Sequence, residues 1–107
     1  MAAEMIEKIR KADNETEIIL VSSMYGNSDW DSKPPEQFPL YRDALASLVS
    51  PGTALCDVTS IWGKLLERKR FVDLTGNGVN HPNDFGHRLY AQAILGLMVA
   101  VPQTAEK

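Results

Sequence analysis

Glu17-Ile18-Ile19-Leu20-Val21-Ser22 is the stretch from which the rest of the chain is best read. Its four consecutive branched aliphatic side chains alternate between the two faces of an extended chain, so neither face is suited to water. The run is too short for a buried helix. It suits a strand of a parallel sheet covered on both sides. Thr53 to Val58 reads as a second such strand, with Asp57 and Thr59 at its C-terminal end. Helical patterns surround the two. Ala2 to Ala12 sets Met5, Ile6 and Ile9 on one face, with Glu4, Glu7, Lys8 and Lys11 largely elsewhere, and Asp13-Asn14 ends it. Leu40 to Val49 is amphipathic, with Tyr41, Leu45, Leu48 and Val49 as the expected buried face, and Pro51-Gly52 stops it. Ser60 is expected to cap a helix through Trp62, Leu65 and Leu66. Asp84 is expected to cap a last helix from Phe85 to about Val101, burying Tyr90, Ile94, Leu97, Met98 and Val101.

The order helix, strand, helix, strand, helix, helix predicts an α/β fold with a parallel sheet. Only two strands are legible, which would leave both sheet edges open and little core to share. A complete doubly wound domain has about five or six strands. The expectation is a single segment, 1–107, whose missing strands come from a preceding segment or from another chain.

Composition narrows the function classes. The 107 residues carry a formal net charge of -3, so no bulk attraction to nucleic acid is expected. The Arg68-Lys69-Arg70 run reads as a solvated helix end, where cations are favoured. The single cysteine, Cys56, lies in an apolar run and reads as a small buried hydrophobe. Met5, Met24 and Met98 read as core filling. No stretch has the length of a membrane span, so no membrane partner is expected. Met1 to Arg10 alternates charge with hydrophobes and is not read as a secretory signal; any export signal is expected upstream.

Between Ser23 and Gln37 the chain is rich in turn residues. Long loops in compact domains are often functional. Tyr25 and Trp30 in this loop either line a substrate cleft or staple the loop to the core. The chemistry-bearing stretch is Asp73-Leu-Thr-Gly-Asn-Gly-Val-Asn-His81-Pro82-Asn83-Asp84-Phe-Gly86-His87-Arg88-Leu-Tyr90. A glycine-rich turn delivers His81, Pro82 restricts His81 to extended backbone, and a helix follows at once. His81 is thus presented at the top of a helix, where an imidazole can act as a general base. Gly76-Asn-Gly78 reads as a tight turn, since no Lys-Ser/Thr follows as in a phosphate-binding loop. His81, His87 and Asp84 lack the spacing and the cysteine partner of a zinc site, so neither metal nor other cofactor is expected.

His81-Pro82-Asn83-Asp84-Phe85-Gly86-His87, with Arg88, Leu89, Tyr90 and Ala91 after it, resembles the histidine motif that ends the SGNH/GDSL hydrolases. The resemblance covers nearly the whole chain but about half of that family's domain, its C-terminal half. It implies a flavodoxin-like three-layer α/β/α fold and hydrolysis of small esters or acetylated carbohydrates. It implies that His81 is the catalytic base and later acid and that His87 is structural; beside them, Tyr25, Trp30 and Asn80 are the candidate substrate-binding residues. The family's acid stands three residues before its histidine, where this chain has Gly78. A backbone group or another carboxylate, Asp57 for one, is therefore expected to orient His81, although Asp57 also reads as a cap. The family's serine motif and oxyanion residues are absent, and Ser22 and Ser23 lie in no nucleophile elbow. Alone, the chain is expected to lack serine-esterase activity. The alternative expectation is a non-catalytic, self-associating α/β module.

Overall fold

β1 (Ile18–Val21) and β2 (Thr53–Cys56) pair in parallel, with Ile18 opposite Thr53 and Val21 opposite Cys56. The computed structural model describes residues 1–27, 29 and 34–99. Around the strands run α1 (Ala2–Ala12), α2 (Gln37–Ala46), α3 (Val58–Leu66), a 3-10 turn (Phe71–Asp73) and α4 (Asp84–Met98). The fold is mixed α/β, and among the described residues its sheet has two strands. Trp30 and Val101 lie outside the described residues. No described helix is long and apolar enough to cross a membrane.

Element ends differ from expectation where a side chain caps earlier than anticipated. β2 stops at Cys56 because Asp57 turns the chain into α3. Asp57 Oδ1 accepts from Ser60 N–H at 3.0 Å, so Asp57 is the cap, and Ser60 donates its hydroxyl to Asp57 Oδ2 at 2.7 Å. Likewise Asn83, not Asp84, caps α4, accepting from Gly86 N–H at 2.9 Å. In each case the oxygen bonds the backbone N–H three residues on, the usual N-cap reach. α2 begins at Gln37, three residues ahead of the expected start, since Pro39 is tolerated in a first turn. That shift makes Phe38 its buried residue and leaves Tyr41 and Val49 half exposed. Arg42 Nε donates to Asp57 Oδ2 at 2.8 Å, fastening α2 to the start of α3.

The core is a cluster of Met24, Cys56, Val58, Trp62 and Leu74, with Trp62 and Leu74 at 0% exposure. Burial pushes the Cys56 thiol up, and the Asp57 charge adds to this, so Cys56 stays a neutral hydrophobe. Met24 fills this core as expected, but Met5 and Met98 are 58% and 66% exposed. The apolar face of α1 contributes no buried residue. Its apolar stripe has the right period and no partner wall. Arg10 instead ties α1 to the sheet, donating to Gly52 O at 2.8 Å and Thr53 Oγ1 at 2.7 Å. On α4, Tyr90 and Ile94 pack on the core, while Leu97 and Met98 remain largely exposed along a groove beside Ile18, Ile19 and Ala54.

Gly86 is required by close packing. A Cβ there would stand 2.7 Å from Pro82 Cβ, 2.8 Å from Leu74 O and 2.8 Å from the Trp62 ring. Gly86→Ala is expected to cost about 1–3 kcal/mol in urea unfolding, as overpacking does. Gly96→Ala on the same helix, where an added Cβ meets nothing, is expected to gain about 0.5–1 kcal/mol. Equal effects at the two positions would remove the steric account.

Burial pushes the Asp57 carboxyl up, but hydrogen bonds from Ser60 and the Arg42 guanidinium outweigh it and hold the group below its ordinary value. The folded pKa is thus lower than the unfolded one, near 3.9. The stabilisation is complete above that value and is lost as pH falls through the folded pKa. Acid titration of unfolding should show Asp57→Asn losing less stability than the parent over that window, and identical slopes would refute the linkage.

Candidate functional site

The loop carrying His81 is closed at its base by a bridge between Thr75 and Pro82. Gly76 N–H donates to His81 O at 2.9 Å and Asn83 N–H to Leu74 O at 3.0 Å. Asn83 Nδ2 adds a bond to Asp73 O at 2.8 Å. The loop is therefore held from below by α4 and its cap. It turns over at Gly78, whose φ of 72° lies in the left-handed region.

Within the loop, Asn77 is the hub. Its Oδ1 accepts from the backbone N–H groups of Val79 (2.9 Å), Asn80 (3.0 Å) and His81 (3.2 Å). These donors fix which end of the amide is oxygen, so Nδ2 is the end that faces the imidazole. Nδ2 lies 2.9 Å from His81 Nδ1 and donates to Asn80 Oδ1 at 3.2 Å. Asn80 Oδ1 is 2.6 Å from His81 Nδ1. Asn80 Oδ1 calls for a hydrogen on Nδ1 and Asn77 Nδ2 for a lone pair there; the shorter contact is to the oxygen, so we assign the hydrogen to Nδ1, bonded to Asn80 and not to Asn77. Nε2 then carries the free lone pair, which is what a general base requires.

His81 is thus oriented by side-chain amides. The expected backbone group or carboxylate is not its partner. Asp57 is occupied by Ser60 and Arg42. Asp73 bonds Arg70, whose backbone N–H, side chain and charge hold the Asp73 carboxyl below its ordinary value. His87 is exposed, with Nδ1 3.0 Å from Asn83 O, and its contact lies within its own helix.

The loop after β1 is stitched to the histidine loop by Asn27, which the sequence did not single out. Its N–H donates to Val79 O and its Nδ2 to Gly78 O, both at 2.8 Å. Tyr90 holds the same segment from α4, its hydroxyl accepting from Met24 N–H at 2.8 Å. Tyr25 follows at once and packs tilted on Phe38, ring centroids 5.3 Å apart, against Gly63. The C-terminal ends of both strands and the His81 loop therefore share one end of the sheet, where open α/β sheets place their sites.

Of the two serines after β1, Ser22 has its hydroxyl engaged in the core, while Ser23 is exposed and is bonded through its backbone. Ser22 is 1% exposed and its Oγ accepts from Thr59 N–H at 3.1 Å. The backbone carbonyl of Ser23 accepts from the Thr59 hydroxyl. Among the described residues, no group of three or more His, Cys, Asp or Glu side chains converges to hold a metal ion. A shallow cleft lies beside the loop, lined by Gly76, Pro82, Asn83, Asp84, Phe85 and His87. No family profile, no curated protein and no solved structure matches the chain.

The tautomer is directly measurable. Long-range proton–nitrogen NMR of His81 should show hydrogen on Nδ1 in the neutral ring. Asn80→Ala should move the population toward hydrogen on Nε2. A parent spectrum already dominated by the Nε2–H form would overturn the assignment.

Proposed function

We propose that the chain is the histidine-bearing part of an SGNH-type ester hydrolase, acting on a small ester or an acetylated carbohydrate. The observation that carries this reading is His81 itself: a bridged loop presents it, Asn80 Oδ1 lies 2.6 Å from its Nδ1, and with the hydrogen assigned there Nε2 can take a proton. The resemblance of His81-Pro82-Asn83-Asp84-Phe85-Gly86-His87 to that family's motif supports it, and Gly86 has a steric reason to stand in that motif. The two parallel strands fit one side of a flavodoxin-like, three-layer α/β/α domain.

In this reading, Nε2 takes the proton of an attacking hydroxyl and then returns one to the departing alcohol. The attacking serine comes from outside the described residues, since Ser22 is buried against Thr59. Tyr25 and Asn80 belong to the substrate side in this reading, Asn80 through the ring it orients, while Trp30 lies outside the described residues.

A second reading, a self-associating module without catalysis, draws on the open strand edges. It also draws on a groove of about 460 Å³ lined by Ile18, Ile19, Ala54, Leu97 and Met98 at the other end of the sheet.

The test is hydrolysis of p-nitrophenyl acetate by the chain, by His81→Ala and by free imidazole at equal concentration. Turnover above imidazole is expected, with water as the attacking group. It should fall by about tenfold or more in the variant, within what a positioned general base supplies. A fluorophosphonate probe should label neither Ser22 nor Ser23. Equal rates for the chain and His81→Ala would overturn His81 as a working base in this chain by itself and would favour the self-associating module.

A further inference from the structure

Asn77 is followed by Gly78, and an Asn-Gly step exposes the side-chain amide to the next backbone nitrogen, because glycine puts no side chain in the way. We propose that Asn77 is a self-processing deamidation site, and that its conversion to a carboxylate gives His81 an acidic neighbour at Nδ1.

The groups that such a reaction needs stand around Asn77. Attack at Cγ turns Oδ1 into an oxyanion, and the N–H groups of Val79, Asn80 and His81 already point at Oδ1. The attacking nitrogen must lose its proton, and Gly78 N–H donates to Thr75 Oγ1 at 3.1 Å. The leaving nitrogen must gain one, and His81 Nδ1 lies 2.9 Å from Asn77 Nδ2. Asn77 is exposed, so water reaches it.

The steps balance without an oxidant or reductant. Gly78 N bonds to Asn77 Cγ and its proton leaves by way of Thr75 Oγ1 to water. The Cγ–Nδ2 bond breaks and the nitrogen departs as ammonia with the Nδ1 proton of His81, whose Nε2 takes a proton from water in the same step, leaving a cyclic imide and a neutral ring. Water then opens the imide to aspartate or isoaspartate at position 77. One water is consumed and one ammonia released. In the aspartate product one oxygen can keep the three N–H bonds while the other faces the imidazole. A carboxylate there favours the imidazolium, which the amide does not. The modification stands apart from the ester-hydrolase reading, whereas its catalytic consequence rests on it.

The experiment is peptide mapping by mass spectrometry of the full chain held at neutral pH, beside the same chain in urea. Position 77 is expected to convert faster in the folded chain, on the order of tenfold or more, below the full effect of a placed oxyanion donor. Asn80 and Asn83 serve as internal controls and should stay amides. Thr75→Val should slow the conversion, and the comparison with urea holds even if that variant folds poorly. Conversion no faster in the folded chain than in urea would overturn the proposal. Asn77→Asp on p-nitrophenyl acetate reads the consequence separately: a rise in His81-dependent turnover is expected, and no rise would overturn the catalytic part. Failure of His81 as a working base, on which that consequence rests, would show instead as equal rates for the chain and His81→Ala.

Discussion

Trp62 stands with its ring edge 2.8 Å from where a Cβ on Gly86 would be, and the position of α4 depends on that approach. A side chain at position 86 would push the first turn of α4 off α3 and off the Leu74 carbonyl. Several contacts would move with it. Asn83 caps that turn and reaches Asp73 O, and Pro82 closes the histidine loop against Thr75. One turn further along, Tyr90 lies 6.0 Å from Trp62, ring centroid to centroid, and bonds Met24 N–H in the loop after β1. A single tight contact in the core thus sets where His81 stands relative to the sheet. This follows from the low compliance of close-packed interiors, which pass on displacement instead of absorbing it.

Above that foundation the loop is organised by polar bonds. Asn77 is exposed, yet its amide makes the contacts that shape the turn and the contact that faces the imidazole. An amide in this position differs from a carboxylate in one physical respect. It shapes the turn that carries the ring through its oxygen, but it brings no negative charge beside the imidazole. The arrangement favours a correctly aimed neutral base over a strongly stabilised charged one.

The aliphatic run Ile18 to Val21, the Asp13-Asn14 break and Pro51-Gly52 made the order of elements and the parallel pairing readable. Helix starts were less readable, because Asp57 beside Ser60 and Asn83 beside Asp84 are all good caps by residue type. Only the chain path shows whose oxygen meets the N–H three residues on. Met5 was misread as core filling for a different reason: an amphipathic period announces an apolar face but says nothing about whether that face is covered. His81 was legible because Pro82, Asn83 and Gly86 surround it in a recognisable string. The role of Asn77 was not, since a search for a carboxylate passes over an amide. Asn27 was not legible either, as its bonds to Gly78 and Val79 span a separation that no local pattern encodes.

The two ends of the sheet are built differently, and the difference bears on where chemistry can take place. At the C-terminal ends of β1 and β2 nearly every described polar group is bonded across elements: Ser22 to Thr59, Asn27 to Gly78, Met24 to Tyr90. At the N-terminal ends the strands open onto a groove walled by Ile18, Ile19 and Ala54 and by the exposed Leu97 and Met98. Positioning a base needs a rigid shell of directional bonds. That groove also carries Glu17, Ser50 and Thr53, the last bonded by Arg10, but no histidine lines it. The order invested around His81 is therefore best understood as fixing an imidazole, and the open groove as surface awaiting burial.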